Sequence, residues 1–157
     1  MFDTFDGLPV HALVLHATVV LLPLMSLVTV LVAVVPRWRK GPAVATAVID
    51  AGLIGLVWAT AESGDKLQVR LSQRAGEVIA KEHGDRGGLM IWFAVALFAA
   101  ALLTVLIARR GGILAGLAIV VAIACAAGTV GWTIYTGDAG ARAVWEENIA
   151  DTEAPPG

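Results

Sequence analysis

Three histidines are the side chains of this sequence best suited to hold a metal or cofactor. His11 and His16 lie at the start of the first long apolar segment, and His83 precedes the third. Histidine is the commonest metal ligand, and two facing imidazoles can hold a haem iron or contribute to a copper or zinc site. The histidines therefore predict a site for haem b or a transition metal, with His16 or His11 acting together with His83.

The spacing of the first two histidines indicates that they face different partners. On a regular helix, residues five apart are about 7.5 Å apart along the axis and roughly 140° apart in rotation. One of the two could therefore meet His83 across a helix bundle, with Glu62 or Glu82 orienting a ligand ring from behind. The alternative is that all three are interfacial histidines, hydrogen-bonded to neighbouring loops and water.

Asp50 is the one acidic residue well inside an apolar segment. A charge near the bilayer centre costs on the order of 3 kcal/mol on insertion scales, so this carboxyl group needs a polar partner. Hydroxyl groups of Ser26, Thr29 or Thr104 could supply it. Asp50 is therefore expected to form a polar tie between helices, with a proton relay as the alternative.

The sequence lacks the motifs of the common enzyme classes. It has no phosphate-binding glycine loop, nucleophile elbow, H-E-x-x-H or C-x-x-C-H motif. Cys125 is the single cysteine, so an intrachain disulfide is excluded. These observations favour a protein that is not a conventional enzyme, and nothing indicates nucleic-acid binding.

The elements that must position the histidines are membrane-spanning helices. Hydrophobic residues make up 58% of the chain and charged residues 15%, whereas soluble domains carry about 25% charged residues. Four apolar runs are long enough to cross a bilayer. We predict an all-α fold, with a four-helix transmembrane domain over 1–145, spans at about 10–35, 43–61, 88–108 and 112–135, and a disordered acidic tail over 146–157.

Charge asymmetry predicts the orientation of these spans. Five of the eleven basic residues fall in two short connections, Pro36-Arg37-Trp38-Arg39-Lys40 and Arg109-Arg110-Gly111, which contain no acid. Short loops rich in Lys and Arg stay in the cytoplasm. We therefore expect a multi-pass protein of the bacterial inner membrane with both termini extracytoplasmic.

Segments between and beyond the spans have patterns of their own. Leucine and other apolar residues at helical spacing over 66–81 predict an amphipathic surface helix between the second and third spans. The glycines of 137–145 could turn the chain back toward the membrane. Small residues recurring every four positions, such as Ala124 and Gly128, predict close helix packing in the bundle, and could also mediate a homo-oligomer or docking onto a respiratory-type membrane complex.

Motifs spread over the chain resemble a bacterial membrane family catalogued as domain of unknown function twenty-two thirty-one. They are the opening Gly7-Leu8-Pro9-Val10-His11 with Leu15-His16-Ala17-Thr18, then Ser63-Gly64, Glu82-His83, and the closing stretch from Gly137 to Trp145. The resemblance implies a four-helix, actinobacterial-type inner-membrane protein without an assigned activity. Some members look joined to iron-sulfur or cytochrome modules, which implies an extracytoplasmic redox setting.

Two functions from different classes follow from these patterns. The first is an accessory component of an extracytoplasmic redox pathway that binds haem or a metal ion through the histidines. The second is a structural subunit or assembly factor that docks onto a larger membrane complex and binds no ligand.

Overall fold

Four long helices form the protein. The computed structural model describes residues 4–75, 80–108, 110–149 and Thr152. The helices are α1 (Val10–Val34), α2 (Gly41–Ala75), α3 (Lys81–Leu106) and α4 (Gly112–Ile149), with a 3₁₀ turn at Pro36–Trp38. All four are long and apolar enough to cross a membrane, so the predicted four-helix transmembrane fold is confirmed.

A short hairpin leads into α1. Strands β1 (Thr4–Phe5) and β2 (Leu8–Pro9) pair antiparallel. Between them, Asp6 and Gly7 have φ angles of 47° and 78°, and positive φ at both central positions is typical of the tight turns that Asp-Gly favours.

The helices differ in length, and this shapes one end of the molecule. α1 and α3 have 25 and 26 residues, or about 38 and 39 Å at 1.5 Å per residue. α2 and α4 have 35 and 38 residues, or about 52 and 57 Å, against a hydrocarbon core of about 30 Å. Because short connections join α1 to α2 and α3 to α4, both long helices extend beyond the span at the end that holds the histidines.

Two segments that the sequence predicted as separate elements are parts of these long helices. The amphipathic segment is helical as far as Ala75, but it continues α2 without a break, and 76–79 lie outside the described residues. The stretch 137–145 does not turn back, because α4 runs through its glycines to Ile149. In both segments the helical backbone hydrogen bonds of the preceding span continue without interruption. Of the predicted tail, only Thr152 beyond Ile149 is among the described residues.

The helices occupy the corners of a square. α1 and α3 each pack against both α2 and α4 and therefore lie on one diagonal. The core contains leucine, methionine and valine toward the histidine end, and small residues farther away, where Ala33, Ala100 and Ala122 meet. Small side chains let helix backbones approach closely, and this packing holds membrane helices together.

Small residues also recur every four positions in α2, at Ala43, Ala47, Ala51, Gly55 and Ala59, but they do not form one buried stripe. Ala43 and Ala47 are buried, whereas Ala51 and Gly55 are exposed. Each step of four residues advances the helix by about 400°, so a four-residue pattern drifts by about 40° per step. The pattern starts in the core and leaves it after Ala47.

Candidate functional site

His11 and His83 meet at the end of the bundle where α1 and α3 begin. His11 is the second residue of α1 and His83 is the third of α3. Their ring centroids are 6.3 Å apart, and the ring planes make an angle of 76°. Both side chains are half-buried. The pair therefore joins two helices that face each other across the bundle diagonal.

The ring of His11 is held by α2. Its Nδ1 lies 3.0 Å from the backbone oxygen of Thr60. The ring also packs against Gly64, where an added Cβ would lie 3.0 Å from His11 Cε1 and 3.1 Å from Nδ1. Few real Cβ atoms approach a neighbour this closely, so glycine provides the space that this ring occupies.

The ring of His83 is held by α4 in the same way. Its Nδ1 lies 2.9 Å from the backbone oxygen of Thr136. A Cβ added at Gly140 would lie 2.8 Å from His83 Nδ1 and 2.9 Å from Cε1. These distances are below any that real Cβ atoms show, so a side chain at position 140 would displace the imidazole.

These contacts determine which ring nitrogens are available. A carbonyl oxygen only accepts hydrogen bonds, so Nδ1 of each ring must carry the proton and donate it. In a neutral imidazole the other nitrogen, Nε2, then keeps its lone pair. Fixing one ring nitrogen on a carbonyl is the usual way in which proteins orient a ligating histidine. In their neutral form, both rings would therefore have Nε2 free to bind a metal.

The rings line a cavity of about 370 Å³ to which all four helices contribute. Most of its lining is apolar and includes Leu15, Val57 and Leu71. Thr136 also lines it and is 7% exposed, and its buried hydroxyl oxygen has no hydrogen-bond partner among the described residues. Mostly apolar cavities with a few convergent polar groups are typical of small-molecule and cofactor sites.

His16, the other histidine proposed as a ligand, lies outside this cavity. Its side chain is exposed, and its Nδ1 is hydrogen-bonded to the oxygen of Ala12 on its own helix. The rotation between His11 and His16 along α1 explains the separation. The structure therefore brings His83 together with His11 and not with His16.

The two glutamates expected to orient the rings make other contacts. Glu62 pairs with Lys66 at 3.0 Å, and its side chain is 40% exposed. Glu82 pairs with Arg86, and its side chain is 72% exposed. Both are i, i+4 pairs on the helix surface. Backbone oxygens of Thr60 and Thr136 occupy the places proposed for the carboxylates.

Asp50 lies toward the opposite end of the bundle, away from the histidines. It is 1% exposed, and Thr29 Oγ1 donates to its Oδ2 at 2.9 Å. This bond joins α1 to α2. Ser26 and Thr104 donate instead to backbone oxygens within their own helices.

Sequence reasoning did not identify the residues that hold the rings. The backbone carbonyls of Thr60 and Thr136 could not be identified from the sequence, because every residue has a carbonyl group. The glycines were visible in the Ser63-Gly64 and Gly137–Trp145 motifs, but nothing in their spacing showed that each faces an imidazole. Among the described residues, no group of three or more His, Cys, Asp and Glu side chains could hold a metal ion.

Comparison with known proteins gives a family but no characterised relative. A family model described as "Predicted membrane protein (DUF2231)" matches residues 7–153. This stretch includes all four helices and both histidines of the cavity. Searches of curated proteins and of solved structures gave no match.

Proposed function

The chain belongs to the DUF2231 family of predicted membrane proteins, and from this premise we propose that it binds haem or a transition metal ion through His11 and His83. The function of the family is not established, so the proposal depends on the site. The observation that carries it is the pair of imidazoles, 6.3 Å apart, each with Nδ1 committed to a backbone oxygen.

The separation of the rings suits one metal centre between them. Metal–nitrogen bonds to histidine are about 2.0–2.1 Å, so two imidazoles on opposite sides of one metal have centroids roughly 6 Å apart. The hydroxyl of Thr136, which has no hydrogen-bond partner among the described residues, would offer a bound molecule one polar contact within the apolar lining. His16, Glu62 and Glu82 have no part in this proposal.

The role that we propose for the bound group is electron transfer on the extracytoplasmic side of the membrane. Haem or a redox-active metal would supply one-electron transfer. The residues of the chain would hold the group by Nε2 of both rings and keep water from it with the apolar lining. The basic connections Pro36–Lys40 and Arg109–Arg110 support placing the opposite end in the cytoplasm, which leaves the cavity and both termini extracytoplasmic in a bacterial inner membrane.

Purification in mild detergent, with a visible spectrum and a metal analysis, tests the proposal. We expect a pigment or a stoichiometric metal that is lost in His11→Ala combined with His83→Ala. His16→Ala is the matched control, because it removes a histidine of the same helix outside the cavity. A colourless protein that contains no metal, and takes up neither haem nor metal on reconstitution, would overturn the proposal.

The second candidate function is docking onto another membrane protein or a second copy of the chain. Glycines on the outer surface of the bundle favour it. At Gly52, Gly55 and Gly116, no side chain or neighbouring helix in the described part of the chain lies within 4 Å of where a Cβ would stand. Such positions let a partner helix approach closely. Gly128 is unsuitable for a test, because Phe93 of the same chain packs there.

Native gel electrophoresis of detergent-extracted membranes tests docking. If a homo-oligomer or larger complex depends on this surface, Gly116→Leu should shift the protein to a smaller species. Ile113→Leu, on the exposed face of the same helix, should not. Unchanged migration of both variants would count against docking through α4.

A further inference from the structure

The molecule consists of two similar halves. In each half, a helix of 25 or 26 residues starts at the histidine end and is followed by a short connection. A longer helix of 35 or 38 residues then runs back and extends past the start of the first helix. Both helix pairs therefore run in the same sense. Membrane proteins built from parallel repeats have halves related by an axis along the membrane normal.

The contacts of the histidines repeat between the halves. The first half-site is formed by His11, Thr60 and Gly64, and the second by His83, Thr136 and Gly140. In both, Nδ1 of the ring is hydrogen-bonded to a threonine backbone oxygen. The distance is 3.0 Å in the first half-site, between residues 49 apart in sequence, and 2.9 Å in the second, between residues 53 apart. In both, the glycine four residues after that threonine faces the ring.

A further polar contact lies two turns deeper in each half. Seven residues after His11, Thr18 shares a 2.7 Å hydrogen bond with the hydroxyl of Thr60. Seven residues after His83, Met90 accepts a hydrogen bond at its sulfur from the Thr133 hydroxyl, at 3.8 Å. The two contacts begin at equivalent positions, seven residues after each histidine. They end at different ones, because Thr60 is the threonine of the first half-site, whereas Thr133 precedes Thr136 by three residues.

We infer that the cavity is one site built from two equivalent half-sites, and that its ligand is a haem held by one imidazole from each half. This rests on the proposed function and specifies its ligand. A group bound between two related halves of a protein is held by the same type of side chain from each half. Haem would meet that condition, because His11 of one half and His83 of the other would together hold its iron.

The number of protein ligands favours haem over a bare ion. Zinc sites usually have three or four protein ligands, whereas the described residues offer no group of three or more His, Cys, Asp and Glu side chains. Two imidazoles from diagonal helices are sufficient for a haem. The apolar lining of the cavity, formed by all four helices, suits a macrocycle better than a hydrated ion.

The test is a comparison of ligand loss from each half. The full-length protein is purified in detergent with and without added haem, and visible and electron paramagnetic resonance spectra are recorded for wild type, His11→Ala, His83→Ala and His16→Ala. We expect six-coordinate, low-spin haem in wild type and His16→Ala. Each of the other two variants should give the same five-coordinate, high-spin form, and free imidazole should restore the low-spin spectrum in both.

Rescue by imidazole separates loss of a ligand from misfolding, because an unfolded variant would not recover. If a bare metal ion binds with dependence on both histidines and no haem is taken up, this inference is overturned while the proposed function stands. The same holds if haem binds but only one of the two variants changes its spectrum. If neither haem nor metal binds, both are overturned.

Discussion

At the scale of single residues, two glycines determine whether the imidazoles can take their positions. Gly140 faces His83 so closely that a methyl group would lie 2.8 Å from Nδ1, and Gly64 is nearly as close to His11. The atoms in conflict belong to planar rings whose Nδ1 is bonded to a backbone oxygen, so a shift of either ring away from an added methyl group would strain that hydrogen bond.

Gly140→Ala should therefore weaken ligand binding. We expect a loss of about 10–100-fold in affinity, the range found when groups that orient a metal-ligating histidine are removed. Titration of the purified protein with haem, followed by absorbance, measures it. Gly137→Ala is the matched control, since it lies on the same helix at the cavity with nothing within 4 Å of the added Cβ. Equal affinities of the two variants would contradict this role of Gly140.

Asp50 and Thr29 provide a second prediction at this scale. Thr29 donates to Asp50 Oδ2, and an asparagine carbonyl could accept the same bond. Asp50→Asn should therefore keep the coupling to Thr29, whereas Asp50→Ala should lose about 0.6–1.7 kcal/mol of it, as interhelical hydrogen bonds in membrane proteins do. A double-mutant cycle with Thr29→Val, measured by unfolding in detergent, isolates the pair. A coupling energy of zero would show that the bond does not stabilise the bundle.

At the scale of elements, the extensions of α2 and α4 are what complete the site. Gly64 and Gly140 lie on helical segments that follow the most apolar parts of these helices. If α4 ended at the membrane surface and turned back, Gly140 would not remain one helical turn beyond Thr136. Continuity of the helix thus places the carbonyl and the glycine on the same face.

The continuity of α4 can be measured by the distance between spin labels. With Cys125 replaced by Ser, labels at Ile134 and Ile149 should be separated by about 22 Å along the axis of a continuous helix. Both positions are exposed. Labels at Leu13 and Leu27 of α1 give a reference of about 21 Å. A markedly shorter separation in α4 than in α1 would show that the chain turns back at its glycines.

At the scale of the whole molecule, the cavity, the hairpin before α1 and the end of α4 lie at the same end of the bundle. The hairpin before α1 and the end of α4 lie at the histidine end, and the two short connections lie at the other. Access of ligands or electron-transfer partners to the cavity therefore depends on which side that is.

Labelling of single cysteines decides the orientation. In a Cys125→Ser background, Asp6→Cys should react with a membrane-impermeant maleimide in intact cells, because the positive-inside rule places the basic connections in the cytoplasm. Lys40→Cys should react only after permeabilisation. Both side chains are exposed in the structure, so burial would not prevent labelling. The opposite pattern would place the cavity on the cytoplasmic side.

The amino-acid sequence alone determined that four helices are long and apolar enough to cross a membrane, and that the histidines lie at one end of them. These properties follow from the length of apolar runs and from where polar residues interrupt them, which are local features of a chain. The Asp6-Gly7 turn was equally readable in principle, since that pair favours a two-residue hairpin. Sequence reasoning also raised Thr29 as one of three possible partners for Asp50.

Only the tertiary structure decided which histidines meet and what holds them. The choice of His11 over His16 depends on the rotation of α1 within the bundle, and the roles of Gly64 and Gly140 depend on the approach of helices that are far apart in sequence. The similarity of the halves was hidden for the same reason. The two halves are alike in their backbone carbonyls, in where their helices start and in the glycines that face the rings. Packing brings these features together, and the residue pattern of either half does not reveal them.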